Sequence, residues 1–396
     1  MTSPAVEFNP FLPEFIADPY PLYHRLRIED PVHRSPMGFW VLTRYDDVTM
    51  ALRDPRFGRA GFDELLRARF GESGFDLSML FRDPPDHTRL RMLVSKAFTP
   101  RVVERLRPRI QQVVDGLLDA VHPARAMDVI ADLAYPLPVT VICEMLGVPG
   151  GDRARFRQWS EAIARSLDAI AMPGDPEIVE RGNAARRALA DYFRALIAER
   201  RQAPRADLLS ELIAAEEQGD RLSEPELLAT CMLLFVAGHE TTVNLIGNGL
   251  LALLRHPAEL RRLREDPSLV ESAVEELLRY DGPAQRTGRM PSVDVEIDGR
   301  TIRKGDLLLA VIGAANRDPA HFPEPDRLDL TRGDNHHLAF GWGIHFCLGA
   351  SLARAEAQLA INTVLRRMPA LALATSAPEW REASALRGLR ALPVGW

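Results

Sequence analysis

The segment from Glu224 to Arg255 predicts one long helix, which constrains any fold that this chain can adopt. Ser223 and Glu226 form a capping box at its start, and a proline stands in the first turn, where its missing N–H costs little. The pattern ends at His256, which precedes a proline. At the usual rise per residue the helix is about 48 Å long. Because its first half is apolar on every side, we expect it to be buried.

The rest of the pattern predicts a mainly α protein with small, separate β-sheets. Apolar residues recur at spacings of three and four from Arg101 to Val121 and from Arg186 to Gln202, which indicates two further helices. Strand signals are short. The stretch from Gly38 to Tyr45 follows a turn, and Asp298-Gly299 stands between alternating residues, which is a strong hairpin signal.

The composition is that of a soluble globular protein. Hydrophobic residues make up 46% and charged residues 26%, a balance that excludes disordered and fibrous chains. The net charge of -6 gives no indication of nucleic-acid binding. The first residues lack the features of a signal peptide, and the apolar run Leu227–Ala237 is too short to span a bilayer, so we expect a cytoplasmic protein without a membrane anchor. No repeat, low-complexity tract or linker divides residues 1–396, although this length could hold two or three average domains.

Polar residues occupy the middle of the long helix, where burial should be deepest. Glu240 is a carboxylic acid at such a position, which is costly unless the acid is hydrogen-bonded or functional. The Thr241 hydroxyl can bond the carbonyl of residue 237, and Gly238 lets another group approach the backbone. These residues suggest a locally opened helix with an acid and an alcohol beside a cavity. The alternative is a buried polar patch that closes on itself by hydrogen bonds.

Glu276 and Arg279 are three residues apart on a predicted helix. This spacing is common in surface ion pairs worth a few tenths of a kcal/mol, so the pair alone is a weak signal. Arg327 lies in a proline-rich stretch further along the chain. It would join Glu276 in a buried triad if the two segments meet.

Two more segments carry basic residues. His87 and Arg91 are four residues apart just after two prolines, and therefore lie on one helical face. Such a pair of donors can bind an anionic group, although a solvated helix start is the alternative. Arg289, just before the predicted hairpin, is ambiguous in the same way.

The three cysteines lie far apart, and no CxxC pair indicates a zinc site or a disulfide framework. We expect Cys143 and Cys231 to be small core hydrophobes. Cys347 differs because it stands at a predicted helix start, where unpaired N–H groups and the helix dipole favour the thiolate.

The loop around this cysteine, Phe340–Gly349, is called the cysteine loop below. Its glycines at positions 341, 343 and 349 remove side chains that would keep a flat, bulky partner away. A catalytic thiol nucleophile is the alternative, but such a thiol needs a base. His345 is close in sequence to Cys347, yet nothing in the sequence supplies a partner that would orient it.

Phe340, Gly343, His345, Cys347 and Gly349 together resemble the haem-ligand loop of the cytochrome P450 superfamily. The strings AGHET and Glu-x-x-Arg, the later arginine and the cysteine loop follow in that family's order, and DPPDHTRLR resembles its propionate-binding segment. The resemblance covers nearly the whole chain and is closest to soluble bacterial members. AGHETT and LRGLRALPV are similar to members that tailor polyketides or other secondary metabolites.

The resemblance implies a mainly α domain with small β-sheets, in which the long helix crosses a buried haem b (iron protoporphyrin IX). It implies that Cys347 is the axial ligand of the haem iron. The residues implied to bind the haem propionates are His87, Arg91, Arg289 and His345. The residues implied to form a structural triad behind the cysteine loop are Glu276, Arg279 and Arg327. The residues implied to relay protons are Glu240 and Thr241.

The implied activity is that of a monooxygenase, which inserts one oxygen atom of O2 into a hydrophobic organic substrate by hydroxylation or epoxidation. No flavin or iron–sulfur motif occurs in the 396 residues, so we expect electrons from a ferredoxin or flavodoxin with its NAD(P)H-dependent reductase. Lys96, Arg101 and Arg354 are candidates for the docking face on a monomeric protein, or are ordinary solvated charges. The alternatives are a peroxygenase that uses H2O2 and a haem sensor or carrier without turnover.

By resemblance, the substrate pocket draws partly on two variable stretches, Phe57–Phe81 and Leu167–Gly182. The residues expected to line it are Phe81, Leu234, Ala237, Ala284, Thr287 and Leu386. Since these residues are largely apolar, we expect a hydrophobic organic substrate of small or medium size.

Overall fold

The computed structural model describes residues 6–71, 78–170, 175–217 and 222–396. Residues 72–77 and 171–174, which belong to the two variable stretches, lie outside the described residues. The helices are α1 (Pro13–Ala17), α2 (Tyr20–Glu29), α3 (Tyr45–Arg53), α4 (Phe62–Phe70), α5 (Asp86–Ser95), α6 (Pro100–Val121), α7 (Pro136–Met145), α8 (Arg153–Ser166), α9 (Pro176–Gln202), α10 (Leu208–Glu217), α11 (Glu224–Arg255), α12 (Pro257–Glu265), α13 (Val270–Asp281), α14 (Ile312–Ala315) and α15 (Ala350–Arg367). The strands are β1 (Val32–Arg34), β2 (Trp40–Leu42), β3 (Phe57–Gly58), β4 (Ala126–Asp128), β5 (Thr287–Pro291), β6 (Val295–Ile297), β7 (Arg300–Ile302), β8 (Leu308–Ala310), β9 (Ala372–Leu373) and β10 (Pro393–Gly395).

The long helix α11 has the predicted bounds, from Glu224 to Arg255. Both hydrogen bonds of the capping box are present, because the Ser223 hydroxyl accepts from the Glu226 N–H and the Glu226 carboxylate accepts from the Ser223 N–H at 2.8 Å. The helix packs against α7, α9, α13 and α15. It is long and apolar enough to cross a membrane, but 83% of its most apolar window is buried inside the protein, as in the core helix of a soluble protein.

The strands form small sheets, as predicted. The largest has the order β1-β2-β8-β5-β3, with β2 and β8 parallel and the other neighbours antiparallel. A second sheet has the order β4-β10-β9. The strands β6 and β7 form the predicted hairpin, and Asp298 and Gly299 at its turn both have positive φ, at 50° and 73°. This conformation suits the right-handed twist of the paired strands.

The stretch Gly38–Tyr45 is only partly a strand. Gly38 lies in a turn with φ of 92°, and β2 is limited to three residues. Tyr45 instead begins α3, and its N–H donates to the Asp318 carboxylate at 2.8 Å. The side chain from a distant segment thus satisfies an N–H that the first helical turn leaves unpaired. That partner is not visible in the local sequence.

Candidate active site

A cavity of about 330 Å³ lies between α11 and the cysteine loop. Its walls are mostly apolar and come from α5, α11, the segment around β5 and the start of α15. Of the residues expected to line the substrate pocket, those that line this cavity are Leu234, Ala237, Ala284 and Thr287. Thr241 and Cys347 also line it, so the alcohol and the thiol face the same space.

Phe81 and Leu386 are not among the residues described as lining this cavity, so their part in the substrate pocket stays a prediction. The Phe81 ring stacks on that of Phe62 at 6.2 Å between ring centroids. Leu386 pairs through its backbone with Ala284, and it is Ala284 that lines the cavity.

The cysteine loop depends on two glycines in left-handed conformations. Gly341 and Gly343 have φ of 71° and 70°, which residues with a side chain rarely adopt. A Cβ on Gly343 would also lie 2.6 Å from the Leu52 carbonyl oxygen of α3. Only Gly349 faces open space, since a Cβ there would have no neighbour within 4 Å among the described residues. Gly341 and Gly343 therefore shape the loop, and Gly341 and Gly349 leave room for a flat partner because both line the cavity.

Burial raises the pKa of the Cys347 thiol above its ordinary value, although the N–H of Gly349 and the positive charge of Arg91 partly oppose this effect. The N–H of Gly349 at the helix start acts in the expected direction, towards the thiolate, but burial outweighs it. A metal ion bound to the sulfur would produce the thiolate, because coordination deprotonates a thiol. Cys143 and Cys231 are buried, as expected for core hydrophobes.

Six basic side chains line the cavity, and we call the five other than Arg286 the cation cluster. They are Arg59, His87, Arg91, Arg289 and His345. The imidazole rings of His87 and His345 are 4.4 Å apart between centroids. The guanidinium of Arg91 donates to the carbonyls of Ile344 and Phe346 at 3.1 and 2.7 Å, which ties α5 to the cysteine loop.

Arg59 was not predicted from the sequence. Its guanidinium donates to the Thr287 hydroxyl at 3.0 Å, and Arg289 donates to the same oxygen at 3.3 Å. Burial lowers the pKa of Arg59, and the neighbouring Arg289 lowers it further. Arg59 follows a glycine in an irregular segment, so no helical spacing connects it with the other cations.

The cation cluster contains more polar atoms than its own contacts satisfy. Among the described residues, both ring nitrogens of His87, Nε2 of His345 and Nε of Arg59 are buried without a hydrogen-bond partner. Burial lowers the pKa of His345 to about 2, and the charges of Arg59 and three other cluster members act in the same direction. His345 is therefore uncharged near neutral pH, and the buried arginines beside it call for an anionic partner.

The charges and the shape of the site fit a haem. The three arginines of the cation cluster lie with one acid, Asp83, which accepts hydrogen bonds from the Arg59 and Ala60 N–H groups. The charge of Asp83 balances one of the three arginines, so two positive charges remain. A haem carries two negatively charged propionates. The cavity also presents the thiol of Cys347 to its interior. These residues would hold the propionates and the iron of a bound haem.

Thr241 and Glu240 lie in different surroundings. Thr241 faces the cavity, and its hydroxyl donates to the Ala237 carbonyl at 3.1 Å, as predicted. The helix nevertheless continues through this point, so the predicted local opening is not seen. Glu240 is buried behind the described cavity wall, where its carboxylate accepts a hydrogen bond from Arg381 at 2.9 Å. Its other oxygen lies 3.4 Å from Nε2 of His239.

Burial alone would raise the pKa of Glu240, but His239 and Arg381 outweigh it and lower the pKa to about 2. The Nδ1 of His239 donates to the Phe235 carbonyl at 2.6 Å, since a carbonyl can only accept. Its Nε2 faces one oxygen of the Glu240 carboxylate at 3.4 Å, and among the described residues neither atom has a hydrogen-bond partner. Glu240 could be identified from the sequence, but its partners His239 and Arg381 were not predicted.

The structural triad contains a different second arginine from the one expected. Arg279 binds the fully buried Glu276 through two hydrogen bonds of 2.7 and 2.8 Å. The other guanidinium on Glu276 belongs to Arg332, at 3.1 Å. Arg327 contributes only its carbonyl, which accepts from Arg279 at 3.1 Å, and its side chain turns outward to Glu324. The prediction for Arg327 is thus wrong, because its backbone faces the pair.

Two of the three basic residues expected to dock a redox partner are exposed. Lys96 and Arg101 are exposed. Arg354 instead holds Glu275 through two hydrogen bonds of 2.6 and 2.7 Å, so its charge is already paired. Met92, Ile344 and Phe346 are exposed apolar side chains on α5 and the cysteine loop. 

Comparison with known proteins agrees with this geometry. A family model described as Cytochrome P450 matches residues 32–378. The cytochrome P450 monooxygenase PikC of Streptomyces venezuelae is 46% identical over 403 residues, which cover 99% of this chain and 94% of that protein. The polyketide biosynthesis cytochrome P450 PksS of Bacillus subtilis is 41% identical over 404 residues and covers 98% of both chains. The crystal structure of the myxobacterial cytochrome P450 CYP267B1 in complex with myristic acid has a TM-score of 0.91 and 50% identity, with 98% of each chain covered.

The fold, the cavity and these relatives agree with the resemblance seen in the sequence. Members of the matched family are haem-dependent monooxygenases, and the match extends from β1 to beyond the cysteine loop. The chain belongs to the cytochrome P450 family.

Proposed function

We propose that this protein is a haem-thiolate monooxygenase whose single domain closes around one haem b, with Cys347 as the axial ligand of the iron. The cation cluster holds the two propionates. The observation that carries this proposal is a buried set of basic groups, several without hydrogen-bond partners among the described residues, beside a thiol that faces the same cavity. The bound haem supplies the activation of dioxygen and the transfer of one oxygen atom, and its thiolate ligand favours O–O cleavage.

The chain's own residues deliver the protons. Thr241 presents its hydroxyl to the cavity, while Glu240 and His239 lie behind it and face each other. We assign Glu240 the role of taking up a proton from the His239 side, and Thr241 the role of positioning that proton at the cavity. The Arg381 contact keeps Glu240 ionised between turnovers.

The substrate is a hydrophobic organic molecule of small or medium size. The cavity supports this, because apolar side chains, leucines above all, form most of its described wall. One relative is named for polyketide biosynthesis, and another was crystallised with a fatty acid. Tailoring of a polyketide or another secondary metabolite by hydroxylation or epoxidation is the corresponding reaction.

The electrons come from NAD(P)H through a separate ferredoxin or flavodoxin and its reductase. The exposed side chains of Met92, Ile344 and Phe346, with Lys96 nearby in sequence, form a suitable docking face for an acidic redox protein on a monomer in the cytoplasm. This face covers the loop that carries Cys347, so it offers a short path for electrons to a haem ligated there.

A peroxygenase that uses H2O2 is the main alternative, and a haem sensor or carrier without turnover is another. The buried Glu240–His239 pair behind Thr241 favours the monooxygenase, because a peroxide-driven reaction brings its own protons.

The deciding experiment measures product from an apolar substrate under 18O2, with NADPH, a ferredoxin and its reductase in one reaction and H2O2 alone in another. We expect product that carries one 18O atom only in the first reaction. Equal product with H2O2 alone would favour the peroxygenase, and no product in either reaction, with haem fully bound, would favour the sensor or carrier.

A further inference from the structure

Arg286 lies at the border between two cavities. It lines the inner cavity that also contains Thr241 and Cys347. Its partners Asp168 and Ser384 line a second, outer cavity of about 610 Å³. A pair of charged residues thus separates the space beside the cysteine loop from a cavity nearer the surface.

The side chains of Arg286 and Asp168 are both buried, with exposed fractions of 3% and 12%. The guanidinium of Arg286 donates to the Asp168 carboxylate at 2.7 Å and to the Ser384 hydroxyl at 2.7 Å. The Ser384 hydroxyl donates in turn to Asp168 at 3.0 Å. Burying a charged pair costs desolvation energy that an apolar pair would avoid, so such a pair in an apolar wall calls for a role.

Asp168 does not depend on Arg286 alone. Its carboxylate accepts hydrogen bonds from the N–H groups of Ser384 and Ala385 at 2.8 and 2.9 Å, besides the Ser384 hydroxyl. If Arg286 moves away, three donors still satisfy the carboxylate. Exchange of the partner of Arg286 therefore leaves the Asp168 carboxylate hydrogen-bonded by three neutral donors, which reduces the cost of separating the pair.

The backbone around the pair is also held independently. The Gln285 N–H donates to the Ala385 carbonyl at 3.0 Å, and the Arg387 N–H donates to the Pro283 carbonyl at 2.7 Å. The two segments that carry Arg286 and Ser384 are thus joined on both sides of the ion pair. The pair is not needed to keep them together.

Arg286 differs from the arginines of the cation cluster in its hydrogen-bond partners and in the cavity that these partners line. Arg59 and Arg289 both reach the Thr287 hydroxyl, at the end of the cavity where the propionates would lie. Arg286 instead points to the outer cavity, through Asp168 and Ser384. Its planar guanidinium suits a carboxylate, which it can bind through two parallel hydrogen bonds.

We infer that Arg286 is a substrate-recognition residue that binds a carboxylate on an otherwise apolar substrate. Asp168 binds the Arg286 guanidinium until the substrate carboxylate replaces it. This inference rests on the proposed function and names the substrate class for the same cavity. The apolar body of the substrate extends from Arg286 between the leucine side chains of α11 and towards Thr241. The carboxylate replaces that of Asp168 on the guanidinium, so the charge balance at Arg286 is unchanged.

The test compares dodecanoic acid with 1-dodecanol, which share the same chain and differ in the charged end group. Isothermal titration calorimetry on the haem-loaded protein measures both affinities without relying on turnover. We expect the acid to bind about tenfold more tightly than the alcohol, as for one charge-assisted contact. In Arg286→Met the two affinities should agree within about threefold. In Asp168→Asn the preference for the acid should grow, because the resident competitor has lost its charge.

The two variants separate recognition from a structural latch. If Asp168 and Arg286 only fasten the wall, both substitutions should change the acid and the alcohol alike, and that result would overturn the inference. An unchanged preference in Arg286→Met, or no preference in the unmodified protein, would also overturn it. Arg286→Lys keeps the charge and should retain part of the preference if the methionine variant folds poorly.

Arg165→Gln is the matched control. Arg165 lines the outer cavity, is half exposed and lies 3.9 Å from Glu382, so its removal takes away one positive charge outside the inner cavity. We expect the acid-to-alcohol ratio to stay within about threefold of the unmodified protein. The carbon monoxide spectrum of each reduced variant checks the haem site separately. Loss of the thiolate-type band in the unmodified protein would count against the proposed function, whereas a normal band without any acid preference counts against Arg286 alone.

Discussion

The guanidinium of Arg381 lies 2.9 Å from the carboxylate of Glu240, behind the wall of the cavity that contains Thr241. His239 faces the other oxygen of the same carboxylate. The position of Glu240 on α11 follows from the sequence. Its ionised state follows from two partners, one adjacent in sequence and one 141 residues away.

The first prediction concerns this pair. Because His239 and Arg381 lower the pKa of Glu240 to about 2, their stabilisation is present above the ordinary pKa of 4.5 and is lost as the pH falls towards 2. Arg381→Met should lower the apparent free energy of unfolding at pH 7 by about 3 kcal/mol, since it leaves a buried carboxylate with one partner fewer. Urea unfolding at pH 7 and pH 4 measures the change, which should be smaller at pH 4.

Arg194→Met is the control, because it breaks only the exposed pair with Asp191 and should cost less than about 1 kcal/mol. Equal losses in the two variants would contradict the account.

The second prediction concerns Thr241. Thr241→Ala removes the hydroxyl that faces the cavity, and should divert electrons from product to hydrogen peroxide. Thr241→Ser keeps a hydroxyl at the same position and is the matched control. The ratio of product to NADPH consumed should fall steeply in the alanine variant, because one group in proton transfer contributes about 10²-fold or more to the rate. It should change little in the serine variant. Unchanged coupling in Thr241→Ala would refute the relay role.

The third prediction concerns the arginine that completes the buried triad. Arg332→Gln should destabilise the protein by about 3 kcal/mol, because Arg332 binds the fully buried Glu276. Arg327→Gln should change stability by less than about 1 kcal/mol, since its half-exposed side chain reaches only the exposed Glu324 and, at 3.8 Å, Asp329. Thermal unfolding of the two variants side by side measures the difference. A larger loss in Arg327→Gln would restore the assignment made from the sequence.

The fourth prediction concerns Glu356, a buried acid on α15. Burial raises its pKa to about 8, although a hydrogen bond with Thr242 partly opposes this shift. The folded protein keeps a proton here that the unfolded chain loses above its ordinary pKa of 4.5, so the stability contributed by this group falls as the pH rises from 4.5 to 8. The slope is at most about 1.4 kcal/mol per pH unit.

Glu356→Gln should remove that slope, because glutamine does not ionise. The free energy of unfolding of the variant should match the unmodified protein at pH 5 and exceed it at pH 8. Urea unfolding at both values is the measurement. Parallel curves for the two proteins would show that Glu356 is ionised in the folded state.

Much of the fold could be predicted from local sequence. The bounds of α11 follow from a capping box at Ser223 and a proline after His256, and the β6–β7 hairpin follows from Asp298-Gly299. These features depend on residues that are neighbours in the chain. The start of α3 at Tyr45 could not be predicted, because the carboxylate that satisfies its N–H comes from a distant loop.

The site residues that belong to a motif with fixed spacing could be predicted from the sequence. The residues that reach the site through long-range contacts could not. Cys347, Thr241 and the four predicted basic residues do line one cavity. Arg59 and Arg332 lie in irregular segments without a periodic signal, and only the folded chain brings them to the cavity and to Glu276. Charge pairing over such distances carries no local pattern.

The central claim is that Cys347 and the cation cluster together hold a haem. The most direct measurement is the absorption spectrum of the reduced protein with carbon monoxide, taken for the unmodified protein, for Cys347→Ala and for the control Cys143→Ala. The account predicts the Soret band typical of thiolate ligation in the unmodified protein and in Cys143→Ala, and its loss in Cys347→Ala. A thiolate-type band that persists in Cys347→Ala, or one that is absent from the haem-loaded unmodified protein, would contradict it.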